Sequence, residues 1–507
     1  MLYSMQLLST PFFLMTVRPG RLVSIAVVIA WAVLVSVHIS QTYASRDRTE
    51  LIDLTTSAAS ADAELTQRGV FYRGARIGFI RERLTPLDRG YRAEQKGDLT
   101  LTVLGRERNM KMEGSVVTGA NGELREFQFR LSTSSRQSPF ETTVQGTVEG
   151  DELQLTINSA GSERSERRHL DEPIVLPLNL YYSLAARGWT AGESYRVRLF
   201  DPMTLSDGEA IIEVKAPEIV RWGGREEEAY RLETTFAGLT TTAWVNESGE
   251  VLQEETPLGW TLRKEAPGSS LQANSSTVAP DVMLESAIPA IGFAGDASEL
   301  VWAKLKLVDF PEGGFEALDG GRQRYAAGIV EVTREQNPFD DDAQLSPEER
   351  SEALASDAFV QADDARIIAR SREITERLSD AEKAKAITDW VYVSLTKSPT
   401  LSVPSAAEIL DQRIGDCNEH AVLYTALARA AGLPTRLTTG LAYTSGQFYY
   451  HAWPEVWLGR WVAVDPTFGQ FPADPLHIRL LTGGLETQYE VLGLLGRSIT
   501  IEVLSVR

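Results

Sequence analysis

From about residue 65 to 275 the chain carries runs in which hydrophobic and polar side chains alternate one by one, and this limits what the chain can fold into more than any other feature. Leu99, Leu101 and Val103 alternate with Asp98, Thr100 and Thr102. Phe127, Phe129 and Leu131 alternate with Gln128, Arg130 and Ser132, and Leu153, Leu155 and Ile157 follow the same rule. Successive side chains of a strand point to opposite faces, so a period of two with one polar face predicts antiparallel strands over one core. Asn121-Gly122 and Ser248-Gly249 supply turns, each followed by Glu and an aliphatic residue, as in a repeated hairpin unit. The region is expected to be an open barrel or a sandwich with a binding or spacer role.

Periodicity changes further along. Residues 276–345 mix strand-like runs, Leu300 to Val308 and Ile329 to Val332, with turns at Gly313-Gly314 and Gly320-Gly321. Helices then follow: Ser346-Pro347-Glu348-Glu349 supplies an N-cap, a first-turn proline and a glutamate three residues on, and Ser379 to Glu382 repeats the box. Ile387, Trp390 and Val391 recur at helical spacing and are expected in a core.

At the other end, Leu22 to Ile39 is an almost unbroken apolar run, preceded by Arg18 and Arg21, of a length that crosses a bilayer as a helix. Residues 1–21 are read as a cytoplasmic N-terminus, 22–39 as a membrane anchor and 40–64 as a linker, with the bulk of the chain beyond the membrane. A cleaved signal peptide is the alternative, although the run exceeds the usual 7–15 residues. Translation from Met15 would remove the apolar stretch before Arg18. With 70 acidic against 50 basic residues the net charge is −20, which repels phosphate backbones and excludes nucleic acid as a partner.

Only one cysteine is present, Cys417, so no internal disulfide can form. Asp416 followed three residues later by Glu419 reads as a capping box, which puts Cys417 at the first position of a helix that Gly432 and Pro434 stop. Orphan N–H groups there favour a thiolate and can receive a developing oxyanion. A thiol nucleophile needs a base, and the base needs an orienting group. His451 alternates with Trp453, Glu455 and Trp457 on one strand face, and the following run ends at Asp465. A three-residue loop of Leu458, Gly459 and Arg460 pairs 457 with 461 and makes Asp465 the diagonal neighbour of His451. A two-residue loop would put Asp465 on the other face.

The stretches GDCNEHAVLYTALARAAGLPTR and HAWPEVWLGRWVAVDPT, with SAAEIL before and DPLHIRL after, resemble a bacterial branch of the transglutaminase-like superfamily over about residues 360–485. The resemblance implies a papain-like α+β fold, with Cys417 as nucleophile, His451 as general base and acid, and Asp465 as the orienting carboxylate. It implies acyl transfer or hydrolysis on peptide or protein amides through a thioester, without cofactor or metal. Asp416, Glu419, His420, Trp453 and Glu455 are supporting candidates: His420 and Glu419 as orienting or buried polar groups, Glu455 as an ion-paired strand carboxylate, Trp453 as core or cleft wall. His477 lies in a strand beyond them, its role open. Zinc held by Cys417, His420 and His451 is the weaker reading, because one cysteine is few and a triad accounts better for Asp465; calcium lacks the spacing of acidic ligands it requires.

The expected whole is therefore multidomain: an N-terminal transmembrane helix, an antiparallel all-β domain over 65–275, a mixed linker and β region over 276–345, and a C-terminal α+β papain-like, transglutaminase-like domain over 346–507. The competing expectation is a catalytically silent, membrane-anchored binding or scaffold protein that works through the β domain.

Overall fold

The computed structural model describes residues 50–51 and 64–507, apart from residues 104, 121, 135–138, 160–161, 258, 267–268, 270–280, 282–286, 311–314, 337–342, 399–403, 484–490 and 492–498. Ile52–Arg507 is one compact unit.

Alternation becomes sheet where it was read. In the strand Tyr91–Val103, Leu99, Leu101 and Val103 are buried while the residues between them are not. Glu152–Ser159 buries Leu153, Leu155 and Ile157 in the same way. Antiparallel hairpins run in order from Glu64–Tyr72 to Ser162–His169, and a second meander runs from Ser194–Asp201 to Trp260–Lys264. The two are one sheet, because Trp260–Lys264 pairs antiparallel with Glu64–Tyr72, Leu262 opposite Val70. The short helix Leu180–Ala185 lays Leu180, Tyr181 and Leu184 onto the core of the second meander.

A second sheet carries the candidate chemistry. Its order is Gln323–Ala326, Ile329–Thr333, Trp302–Val308, Thr500–Val506, Ile288–Ile291, Gln447–Trp457, Thr435–Thr444, His477–Thr482, with Trp461–Ala463 paired beside Gln447–Trp457. Strands from the mixed 276–345 segment therefore build the same sheet as His451, and the last strand of the chain sits among them. Among the described residues, five helices accompany it: Pro347–Glu352, Ala365–Thr375, Asp380–Ser394, Ala406–Gln412 and Cys417–Ala430. Both capping boxes form, Ser346 with Glu349 and Ser379 with Glu382. Ile387 and Val391 are fully buried in the helical core.

Two expectations about fold class need correction. Strand makes up 52% and helix 16% of the described residues, which are therefore mostly β rather than a β domain followed by an α+β one. Beside the large sheet, the second sheet recruits strands from 288–333 and 500–506, on either side of the helices in sequence. The expected transmembrane helix is not found either: no helix among the described residues is long and apolar enough to cross a membrane, and residues 22–39 lie outside them.

Candidate active site

Asp416 starts the helix Cys417–Ala430 as its N-cap, accepting hydrogen bonds from the amides of Asn418 and Glu419, while Glu419 reaches back to the Asp416 amide at 2.7 Å. Gly415 makes room for this: a Cβ there would come 2.2 Å from the Glu419 Cβ. Beyond the first turn nearly every side chain is buried, Ala421, Leu423, Tyr424 and Leu427 among them, so the helix runs through the core and packs against Gln447–Trp457 and Thr435–Thr444. Gly432, at φ 82°, stops it in the left-handed conformation that glycine adopts without strain.

Cys417 is half-buried at the seam between the two apolar clusters of this region. The amide of Ala452, the residue after His451, lies near enough to its sulfur to favour the charged form. Burial pushes the Cys417 thiol well above its ordinary value, and the Asp416, Glu419 and Asp465 carboxylates add to this against the Ala452 amide. A resting thiolate, expected from the helix tip alone, is thus opposed by desolvation and by the acidic cap itself.

The hairpin after His451 has the three-residue loop, with Trp457 opposite Trp461 and Glu455 opposite Ala463. The strand then gives way, and Asp465 pairs instead with Gln470 across a tight loop. His451 Nε2 lies 2.8 Å from Asp465 Oδ2. The other carboxylate oxygen, Oδ1, accepts the amides of Thr467 and Phe468 at 2.7 and 2.9 Å. A second imidazole occupies the same Oδ2, since His477 Nε2 is also 2.8 Å away. His477 Nδ1 lies 3.1 Å from Asp474 Oδ1, and Gln470 donates to the other Asp474 oxygen. Burial opposes the charge on Asp465, yet His451 and His477 hold its carboxyl far below the ordinary carboxylate range. Burial likewise works against a charged His477, but Asp474 and Asp465 outweigh it and raise the imidazole to about 9.

The His451 ring lies nearly parallel to Phe468, centroids 4.8 Å apart, and to Trp453 at 6.0 Å. Trp453 is buried, its edge against His477 at 5.3 Å, and its indole N–H has no partner among the described residues. Glu455 lies apart from this cluster, ion-paired with Arg436 and with Arg479 at 2.5 and 2.9 Å. His420 donates from Nδ1 to the Asp416 carbonyl at 2.6 Å, which leaves Nε2 a buried acceptor without a partner among the described residues, and burial lowers its basicity. The ligand set weighed for zinc is not what comes together. Among the described residues the group with metal-ligand spacing is His451, Asp465 and His477, without Cys417 or His420. Its short contacts run from imidazole nitrogens to one carboxylate oxygen, the geometry of hydrogen bonds.

His477 was visible in the sequence without a role, whereas Asp474, Gln470 and Phe468 were not singled out. The only local signal was Asp474 three residues before a histidine; what joins them to Asp465 is a loop folding back on itself.

Residues 368–466 match the family model of the transglutaminase-like superfamily, a span that holds Cys417, His451 and Asp465. This segment is a transglutaminase-like domain. Its family is one of thiol-dependent acyl transfer and hydrolysis. No curated protein matches the chain. Among solved structures, the chain is similar to a presumed cysteine protease from Cytophaga hutchinsonii, 18% identical over 44% of this chain and 84% of that one, TM-score 0.25. It is similar also to the periplasmic domain of TgpA from Pseudomonas aeruginosa bound to ethylmercury, 18% identical over 36% and 83%, TM-score 0.24. A DUF1089 family protein from the same organism is 14% identical over 34% and 87%, TM-score 0.21. Beyond the transglutaminase-like domain, these likenesses add no argument about chemistry.

Proposed function

We propose that the transglutaminase-like domain is a thiol hydrolase or acyltransferase acting on peptide or protein amides, with Cys417 as nucleophile, His451 as general base and acid, and Asp465 as the group that orients His451. The observation that carries this reading is the 2.8 Å contact from His451 Nε2 to Asp465 Oδ2, on a strand whose next amide, that of Ala452, favours the charged form of Cys417. With Nε2 committed to Asp465, Nδ1 is the nitrogen left to take the thiol proton.

The raised thiol shapes the mechanism. A neutral Cys417 gives up its proton to His451 as the sulfur attacks the amide carbonyl, so deprotonation and attack are coupled. The developing oxyanion forms beside the Cys417 N–H at the helix N-terminus, the amides of Asn418 and Glu419 being taken by the Asp416 side chain. His451 then protonates the departing amine, a thioester remains on Cys417, and water or a second amine releases the acyl group.

Acylation by p-nitrophenyl acetate tests this. The expected result is a burst of p-nitrophenol with an acetyl adduct on Cys417, absent in Cys417→Ala and slowed about 10²- to 10⁴-fold in His451→Ala. One observation favours a second reading, a silent binding protein that works through the large sheet: burial holds the thiol protonated. Alkylation of Cys417 at the rate of an ordinary free thiol, unchanged by His451→Ala, would establish that reading instead.

A further inference from the structure

His477 is fully buried and lies outside the three residues to which the proposed chemistry is assigned. Its two ring nitrogens face carboxylate oxygens, Asp465 Oδ2 at 2.8 Å and Asp474 Oδ1 at 3.1 Å. Both carboxylates act as acceptors elsewhere, Asp465 taking the Thr467 and Phe468 amides on Oδ1 and Asp474 taking the Leu476 amide and the Gln470 side chain. An ionised carboxylate can only accept, so both nitrogens of His477 must donate, and an imidazole that donates from both is a cation.

Asp465 Oδ2 therefore sits between two imidazoles whose ring centroids are 5.7 Å apart. A lone buried carboxylate against His451 would favour its protonated form and so remove the base that the thiol needs. A fixed positive charge on the far side of the same oxygen weakens that pull. We infer that His477, clamped between Asp465 and Asp474, is a positioning residue that holds Asp465 in line with His451 and offsets its charge, so that His451 stays free to accept the thiol proton. The inference rests on the thiol-enzyme reading above.

Asp465 comes from the loop after Trp461–Ala463, Asp474 from the loop before the His477 strand, and His451 from Gln447–Trp457. The paired strand presents uncharged Ala442 opposite His477. On the cysteine helix, Cys417 and His420 feel the charge of Asp465. Arg322 donates to the backbone carbonyl of Asp474 at 2.7 Å and steadies that loop. The cluster of Asp465, His477 and Asp474 carries one net negative charge, and His477 is its only cation.

The test is the pH dependence of Cys417 alkylation by iodoacetamide in the full chain, compared with His477→Gln, which keeps a donor and loses the charge. The expected result is an acid limb moved up by about one pH unit, with the rate at pH 6 down about tenfold and the rate at pH 8.5 within about threefold of the parent. A uniform loss of rate with the limb unmoved would reduce His477 to packing and overturn the inference. Nitrogen-15 spectra of the histidine rings in the unsubstituted protein give an answer that does not depend on the variant folding: one ring should keep both N–H groups above pH 8. If none does, the clamp is wrong. Alkylation that has no acid limb and ignores His451→Ala would instead sink the thiol-enzyme reading and the positioning role with it, while the ring spectra would still report the cation.

Discussion

Asp416 both helps and hinders the cysteine beside it. Its side chain caps the helix, and its charge is the second cause, after burial, of the raised Cys417 thiol. Asp416→Asn keeps a good capping oxygen and removes the charge, so alkylation of Cys417 at pH 7 should quicken by about threefold or more, with thermal stability changed by less than about 1 kcal/mol. Glu455 behaves differently. It is buried and holds Arg479, itself nearly buried, so Glu455→Ala should cost about 3–5 kcal/mol in urea unfolding by stranding that guanidinium. Its ion pairing was legible as a strand-face carboxylate, although its partner was not. Cys417, His451 and Asp465 stood out because each sits in a strong local pattern: a capping box, an alternating strand and the end of a three-residue hairpin. Phe468 and Asp474 sit in a loop without period, and nothing local says which residue they will face.

At the scale of elements, the strand Thr435–Thr444 decides how the site is assembled. Gly440 stands opposite His451 on one side and opposite Arg479 on the other, next to a bulge between Thr439 and Gly440. A Cβ at Gly440 would come 2.0 Å from the Ile478 carbonyl and 2.9 Å from the Trp453 ring. Gly440→Ala must therefore push the His477 strand away from the His451 strand. It should lower stability by about 1–3 kcal/mol, read as the urea midpoint, and slow His451-dependent alkylation even where the protein remains folded. Alternation predicted the neighbouring His451 strand, but the sequence carried no sign of this bulge, because a register shift follows from contacts with a partner strand rather than from a strand's own sequence.

Across the whole molecule, Phe359 packs against both the helical core and a core of the large sheet, which joins the two into one unit. The charge cluster should show itself in global stability. His477 is raised from 6.5 to about 9 on folding, so its contribution is fully present below pH 6.5 and is lost as the pH climbs through 9. Asp465 and Asp474 are lowered from 3.8, so their contributions are present above pH 4 and are lost on further acidification. Unfolding free energy should therefore peak between about pH 4 and 6.5 and fall towards pH 9, by on the order of 3 kcal/mol at most from His477, and His477→Gln should flatten that alkaline slope. Denaturant titrations at pH 6 and pH 9 check the sign.

Local sequence determined the strands, the caps, the helix that presents Cys417 and the loop length that turns Asp465 towards His451, because backbone geometry fixes which neighbours share a face. Tertiary structure alone decided that strands from 288–333 and 500–506 complete the sheet, that the thiol is desolvated, and that His477 and Asp474 close around Asp465. Those outcomes depend on which distant surfaces bury one another, and neither a period nor a spacing in the chain encodes that choice.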